Sequence, residues 1–471
     1  MTARFTIDQA AWAASARVVQ RGAAQAFEGV FTDTRAPRPG ALFVALHGEK
    51  FDATAFLAEA VQGGASGVLV PEKSASVEVP ENVAVLAAAD TARALAGLAR
   101  AWRGQLPGLK VVCITGSAGK TSTKELIAEV LAASGPTLKT EGNLNNEIGV
   151  PLTLLGLEPG HRYAAVECGM NHLGEIARLA SWADPDVGVV TNVGPVHLEG
   201  TGSIDGVAYA KGELFHALRP SGIAVANADD PRVLQQARLS LRKIVTFGAT
   251  LGSDVRLVSV HHGGPGLNVQ LEFAGAIRRF DLQLIGTHNG HNAAAAAAVG
   301  IALGIDAATI LRGLANARTP GRRMRPVPMP GGGLLIDDCY NANPSSMKAA
   351  LLTLTHLVRG KGRAVAVLGD MLELGPTELD LHRDVGRFAA GAGLSLLVCY
   401  GKRARAIGEG AIESGLKPDS VQWAENPAEA IAQVRRGARP EDVILVKGSR
   451  GMKMELISDP LAQAGPTPGG H

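Results

Sequence analysis

Thr115-Gly-Ser-Ala-Gly-Lys-Thr-Ser122 is the stretch of this chain whose residue types and spacing best suit phosphate chemistry. Glycines let a backbone curl until several N–H groups point at phosphate oxygens, and a helix N-terminus adds partial positive charge. The candidate nucleotide contacts are Gly116, Ser117, Ala118, Gly119, Lys120, Thr121 and Ser122. Lys120 can reach β- and γ-phosphates, and the Thr121 hydroxyl can join a magnesium shell. Gly116 and Gly119 flank two residues rather than the four of the commoner Walker spacing. A buried-strand run, Lys110–Thr115, leads into the loop, and a helical run beginning near Thr123 is expected to leave it.

Three later segments carry groups that could act beside bound phosphate. The apolar run Ala164-Ala-Val-Glu-Cys-Gly-Met-Asn171 delivers Glu167 at a strand end, where ligands of open α/β sheets gather, so Glu167 is a candidate magnesium ligand. The run from Val189 to Leu198 reads as another strand whose end projects His197. Tyr209-Ala-Lys-Gly-Glu-Leu-Phe215 places Lys211 at the start of a predicted helix. Lys120, His197 and Lys211 are the catalytic candidates.

These groups need a scaffold, and the chain is long enough to supply several. Its 471 residues predict two to four domains, and 46% hydrophobic with 19% charged residues is ordinary for a soluble globular protein. A net charge of +2, with basic residues such as Arg322, Arg323 and Arg325 clustered only locally, gives no nucleic-acid footprint. Cys113, Cys168, Cys339 and Cys399 lie far apart without a CxxC pair, which suits a reducing compartment. Met1–Asp8 lacks an apolar signal core, and the Ala-rich run from Ala293 to Ile305 makes about one buried helix rather than a membrane span. The cytoplasm is the expected location, with no membrane insertion.

Short β-type runs alternate with Ala/Leu-rich helical stretches throughout, the pattern of α/β domains with largely parallel sheets. Boundaries are read near Gly104–Gly108 and around Thr319–Arg323, giving units of about 1–107, 108–320 and 321–471. The last holds three strand-like runs, Arg363–Leu368, Leu394–Tyr400 and Asp442–Lys447, consistent with a small doubly wound sheet. The tail after Leu461 is expected to be disordered.

Taken together, these segments resemble the Mur ligases of the peptidoglycan pathway, from about Thr32 to Met454. The resemblance extends to Gly286-Thr-His-Asn-Gly-His-Asn292, Pro320-Gly-Arg322 and Ile336-Asp-Asp-Cys-Tyr-Asn-Ala-Asn-Pro344. It implies an α/β, three-domain architecture: a small UDP-binding N-terminal domain, a central ATP-binding P-loop domain, and a Rossmann-like C-terminal domain that binds the incoming amine. It implies that Asn289 and Asn292 sit beside ATP, while Arg322 and Asp338 contact phosphate and ribose across the domain junction. It further implies two magnesium ions, one between Thr121 and Glu167, the other at His197 and a carbamate (N6-carboxylation) on Lys211.

Thr32–Leu46 is similar to the family's UDP-recognition segment, with Thr34 toward the uridine end and Arg35 on the diphosphate; Asn145 and Asn146 are also assigned to that substrate. Where the family is expected to read Asp-Gly-His, this chain reads Asp52-Ala-Thr54. Gly142–Pro151, Leu368–Gly375 and Lys447–Met452 resemble the members that add D-alanyl-D-alanine to UDP-N-acetylmuramoyl-tripeptide. The Asp-Asn-Pro-Arg tetrapeptide of the members that add the third residue is absent. The expected product is an amide made through an acyl phosphate, by a monomer. A related ligase such as a folylpolyglutamate synthase, or a nucleotide-switched binding protein, remains the alternative.

Overall fold

The computed structural model describes residues 3–48, 51–263, 266–318, 321–358 and 362–464. The sequence boundary at Thr319-Pro320, and the tail from 465 onward, lie outside them. Ala462 to Ala464 complete the last helix, Glu455–Ala464, where disorder was expected.

The first unit is a five-stranded sheet. Its strands are β1 (Arg17–Gln20), β2 (Val30–Phe31), β3 (Leu42–Val44), β4 (Gly67–Pro71) and β5 (Ala84–Ala88), in the order β1-β5-β4-β3-β2. Helix α1 (Thr91–Gly104) follows, capped by Asp90, whose side chain accepts from Ala92 N and Arg93 N. It joins this unit to the next. Trp102 donates its indole N–H to Leu157 O (2.9 Å), and the buried Arg103 guanidinium donates to four carbonyls, those of Ala183, Leu106, Leu109 and Asp184. One apolar cluster runs through both units, from Phe5 and Leu42 to Val111 and Leu214.

The central sheet has nine strands. In chain order these are β6 (Lys110–Thr115), β7 (Thr137–Lys139), β8 (Tyr163–Glu167), β9 (Val187–Val190), β10 (Ile223–Asn227), β11 (Lys243–Gly248), β12 (Val255–Gly263), β13 (Gly266–Phe273) and β14 (Ala276–Leu282). Their spatial order is β7-β8-β6-β9-β10-β11-β12-β13-β14. Pairing is parallel from β7 to β12, while β12, β13 and β14 form an antiparallel meander that the largely parallel reading did not foresee. The register sets Ile114 beside both Glu167 and Val189, so three strand ends open at one point.

Helix α2 (Lys120–Ala132) starts at Lys120, three residues earlier than expected, because Gly119 at φ +79° ends the loop and caps it. Helix α3 (Gly149–Leu155) precedes β8, and α4 (Ile204–His216) follows β9. Lys211 therefore lies in the second half of α4 rather than at its start, because Ser203 caps that helix by accepting from Gly206 N. Helix α5 (Asn289–Ala302) contains six consecutive alanines, Ala293–Ala298, all fully buried. A helix enclosed on every side is apolar all round, and methyl groups let its neighbours come close.

The third sheet has six strands: β15 (Arg325–Pro328), β16 (Leu334–Asp338), β17 (Ala364–Gly369), β18 (Leu394–Tyr400), β19 (Val421–Ala424) and β20 (Val443–Lys447), ordered β15-β16-β20-β17-β18-β19. Three of these were legible. The Pro-rich stretch after Arg325 is the edge strand β15, a position where proline's missing N–H is tolerated. Helix α6 (Pro344–Leu357), with a reciprocal Asn343–Ser346 cap, covers the sheet end that meets the central unit.

Removing the guanidinium at the first junction takes a donor from four carbonyls, of which Leu106 O and Asp184 O keep another, at about 1–3 kcal/mol for each buried one left unpaired. Arg103→Ala is expected to lower the thermal midpoint by several degrees; an unchanged midpoint would show that the junction does not depend on it.

Candidate active site

A cleft of about 1070 Å³ opens where the central strand ends face the third sheet, lined by Ser117 to Ser122, Glu167, His197, Asn289, Asn292 and Asp338. Its floor is the phosphate loop, whose glycines are fixed by steric demand. A Cβ on Gly116 (φ +153°) would lie 1.9 Å from Thr191 Oγ1, and one on Gly119 would lie 2.9 Å from Asn292 Oδ1. The segment after β9 scaffolds the loop. Ala118 N donates to Asn192 Oδ1 (2.9 Å), Ala118 O accepts from Thr191 Oγ1 (2.7 Å), and Gly194 N donates to Ser117 Oγ (2.8 Å). The first-turn amides of α2 have no intrahelical acceptor and are left for a ligand. Lys120 Nζ donates to Gly116 O (2.7 Å), folded back over the loop. Burial holds its ammonium below the usual lysine range, Glu167 opposes that shift, and Arg323 adds to it.

Thr121 Oγ1 donates to Glu167 Oε2 at 2.7 Å, and Asn145 Nδ2 donates to Glu167 Oε1 at 2.8 Å. Glu167 is 2% exposed, and its own N–H donates to Thr140 Oγ1. Asn145 thus belongs to the phosphate end of the cleft, while Asn146 caps α3 by accepting from Ile148 N and Gly149 N. Asn292 receives the Thr123 hydroxyl on Oδ1 (3.1 Å) and donates to Asn289 Oδ1 (2.8 Å), bracing α5 against α2.

Lys211 is almost fully buried and does not line the cleft. No hydrogen bond or ion pair to its side chain is present among the described residues. Burial, with repulsion from Lys120, pushes its pKa well below the usual lysine value.

The third unit supplies the roof. Asn343 Nδ2 donates to Ser117 O (3.3 Å), and His197 Nδ1 lies 3.1 Å from Glu373 Oε2, a contact that holds the Glu373 carboxyl below its usual pKa. Both residues of that pair have left-handed backbones, φ +51° and +64°. Asp338, at the end of β16, accepts from Lys447 Nζ (2.6 Å) at the end of β20 and from Met324 N (3.1 Å).

Arg322, Thr34 and Arg35 lie outside this cleft. Arg322 is held within the third unit by Asp459 (2.7 and 2.8 Å) and Asp337 (3.0 Å) and does not line the cleft; its neighbour Arg323 does, stacked 3.9 Å over the Tyr340 ring. Thr34 and Arg35 lie outside the cleft, and Arg35 is spent on Asp33 (2.6 Å). Sequence reasoning missed Arg323, Asn192, Asn343, Glu373 and Lys447 as cleft residues. The signal for Arg323 was present in the Arg322-Arg323 doublet, but a doublet in a turn does not reveal which side chain faces inward.

Two family patterns match the chain. The Mur ligase middle domain covers residues 114–300, and the glutamate ligase domain of Mur ligases covers 322–450. The chain belongs to the Mur ligase family. It is 40% identical over 449 residues to the UDP-N-acetylmuramoyl-tripeptide–D-alanyl-D-alanine ligase of Escherichia coli K12, covering 94% of this chain and 96% of that one. The enzyme of the same name from Bacillus subtilis 168 is 37% identical, over 92% and 94% of the two chains. A crystal structure of MurF from Acinetobacter baumannii superposes with a TM-score of 0.88 at 33% identity, over 98% and 99% of the chains. That of MurF from Thermotoga maritima in complex with ADP gives 0.80 at 27%, over 92% and 97%.

This Mur ligase should therefore be sensitive at its loop glycines. Gly116→Ala, which forces a methyl onto the Thr191 hydroxyl, is expected to weaken ADP binding by at least about 10-fold in calorimetry; wild-type affinity would contradict the loop geometry. A second expectation concerns the cleft residue His288, whose pKa burial lowers from 6.5 to about 4. Between these values the unfolded chain binds a proton that the folded chain refuses, so stability falls as pH drops from 6.5 to 4. The thermal midpoint of His288→Gln should fall less over that window; parallel curves would contradict it.

Proposed function

We propose that this Mur ligase joins D-alanyl-D-alanine to the terminal carboxylate of UDP-N-acetylmuramoyl-tripeptide, using ATP and releasing ADP and phosphate. The observation that carries the reading is the cleft itself: a phosphate loop with Thr121 on Glu167, roofed by Asp338, Lys447 and Arg323 from another unit. The named relatives over more than nine-tenths of the chain supply the substrates.

Chemically, a carboxylate oxygen attacks the γ-phosphorus, the bond to the ADP oxygen breaks, and an acyl phosphate forms. The dipeptide amine then attacks the acyl carbon, phosphate leaves, and the nitrogen gives up its proton. Both reactants in the first step are anions, so positive groups must lie along their path. Lys120 exchanges Gly116 O for the β- and γ-phosphates, and Arg323, rather than Arg322, meets the γ-phosphate from the roof. Asn289 and Asn292 flank the nucleotide, and Asp338, fixed by Lys447, accepts from the ribose hydroxyls. No nucleophile on the protein is required. Roof closure keeps water from the acyl phosphate.

The residues fit magnesium. Thr121 and Glu167 already touch, and a hard cation with phosphate and water ligands needs few protein oxygens. When bound, magnesium neutralises charge developing on the transferred phosphoryl group. A second ion would use His197, with Glu373 orienting the ring through Nδ1, as metal-bound histidines are commonly held. Lys211 would complete that site as a carbamate. Its buried amine, held well below the usual lysine pKa and without a side-chain partner among the described residues, would lose its ammonium proton, form an N–C bond to carbon dioxide and release a second proton, turning a repelling cation into an oxygen donor.

Residues 1–107 are assigned to UDP binding, 108–320 to ATP and 321–471 to the dipeptide and closure. A diphosphate at Arg35 would have to displace Asp33, with Thr34 beside it. Asn145 and Asn146 line the cleft where the tripeptide carboxylate arrives. Among the described residues no helix is long and apolar enough to cross a membrane. A cytoplasmic monomer, without nucleic-acid partners, is the form proposed.

Phosphate release should require both UDP-N-acetylmuramoyl-tripeptide and D-alanyl-D-alanine, and Lys120→Ala should lower it by at least about 10²-fold; release indifferent to the dipeptide would refute the ligase reading. Enzyme equilibrated with 13C-bicarbonate should show a carbamate carbon signal that Lys211→Ala lacks. Short carboxylic acids should partly restore turnover to that variant. Full activity of Lys211→Ala without additives would end the carbamate assignment.

A further inference from the structure

Among the described residues lining the cleft, the lysines and arginines are Lys120, Arg323, Lys447 and Arg450. Three are committed to the nucleotide end. Lys120 lies on the loop, Lys447 is locked between Asp338 and Asn341 O, and Arg323 is stacked on Tyr340 within electrostatic reach of Lys120. Arg450 is placed differently. It opens the short turn Arg450–Met452 just beyond β20, its side chain is 63% exposed, and Nη1 lies 2.9 Å from Glu455 Oε1. Its Nη2 and Nε have no hydrogen-bond partner among the described residues.

The loop after β17 carries the opposite charge into the same cleft. Glu373 is 65% exposed there, with Oε2 on His197 and Oε1 without a partner among the described residues. The two loops are stitched together: Leu372 N donates to Ser449 Oγ (2.9 Å), and Ser449 N donates to Asp370 O (3.0 Å). Arg450 and Glu373 thus each adjoin a residue of that stitch, yet no ion pair joins them among the described residues. A cation and an anion on two stitched loops of one cleft, each with spare hydrogen-bonding capacity, suit a ligand that carries both charges.

We infer that Arg450 receives the carboxylate of the incoming dipeptide through paired N–H bonds, while Glu373 receives its ammonium beside His197. The inference rests on the proposed function and names the subsite that function requires. A guanidinium fork matches a carboxylate in geometry as well as charge. The ammonium end then lies on the side of the cleft that His197 shares with the phosphate loop, where the acyl carbon is made. A dipeptide without a free carboxylate leaves Nη2 and Nε of Arg450 unfilled.

The test compares D-alanyl-D-alanine with its C-terminal amide, D-alanyl-D-alaninamide, by phosphate release in the presence of UDP-N-acetylmuramoyl-tripeptide. Wild-type enzyme is expected to favour the acid in kcat/KM by on the order of 10- to 100-fold, chiefly through KM. In Arg450→Ala that preference should shrink to within about 3-fold, and Arg450→Lys, which keeps the charge but not the fork, should retain part of it. Because both dipeptides meet the same preparation, partial misfolding cancels from the ratio. Equal use of acid and amide by the wild type, or an undiminished preference in Arg450→Ala, overturns the role of Arg450. Failure of the wild type to turn over D-alanyl-D-alanine at all overturns the proposed function as well.

Discussion

The hydrogen bond from Thr121 to Glu167, 2.7 Å long, ties the first turn of the phosphate-loop helix to the end of the neighbouring strand. A buried carboxylate without partners would be costly or would take up a proton. The Glu167 carboxylate stays satisfied because Thr121 and Asn145 donate to it from the helix and a loop, while Thr140 Oγ1 accepts from the Glu167 backbone N–H. That convergence is a consequence of register: β6 must run parallel between β8 and β9 for Gly116, Glu167 and Thr191 to end together. The alanine-rich helix α5 then lies close enough for Asn292 to reach Thr123.

The two junctions of the chain are built from different materials. Between the first and central units, a continuous apolar cluster is reinforced by Trp102 and the four-carbonyl clasp of Arg103. Between the central and third units Ile285 enters the third unit's apolar cluster, beside polar contacts of Asn343 to Ser117 and His197 to Glu373 and a stacked His262–His356 pair with ring centroids 5.5 Å apart. Polar contacts exchange for water at small net cost, which supports the proposed closure of the third unit. A site needing water for substrate exchange but not during acyl-phosphate chemistry requires such an arrangement.

Much of the centre was legible because its signals are local. The phosphate loop, the strand bearing Glu167 and the α/β alternation each follow from a few consecutive residues. What escaped depended on distant contacts or on facing. Lys211 was read at a helix start, yet Ser203 begins that helix eight residues earlier, and its buried position depends on packing against the central sheet. The Arg322-Arg323 doublet hid its inward member, since Asp337 and Asp459, the latter 137 residues away, decide which one is held outside. Strands β15 and β19 were missed because each is four residues long and half of β15 is proline, so only the neighbouring strands define them. Glu373 and Lys447 lay in segments already noted for their resemblance, but their roles depend on partners in other elements.

Nucleotide phosphates and magnesium are proposed to meet at Thr121 and Glu167. A crystal structure with magnesium and a non-hydrolysable ATP analogue tests it most directly. The expected result has the phosphates on the Gly116–Ser122 backbone, Lys120 released from Gly116 O, and a metal ion between the Thr121 hydroxyl and Glu167 in place of their hydrogen bond. A nucleotide bound elsewhere, with that hydrogen bond and the Lys120 contact intact, would contradict it.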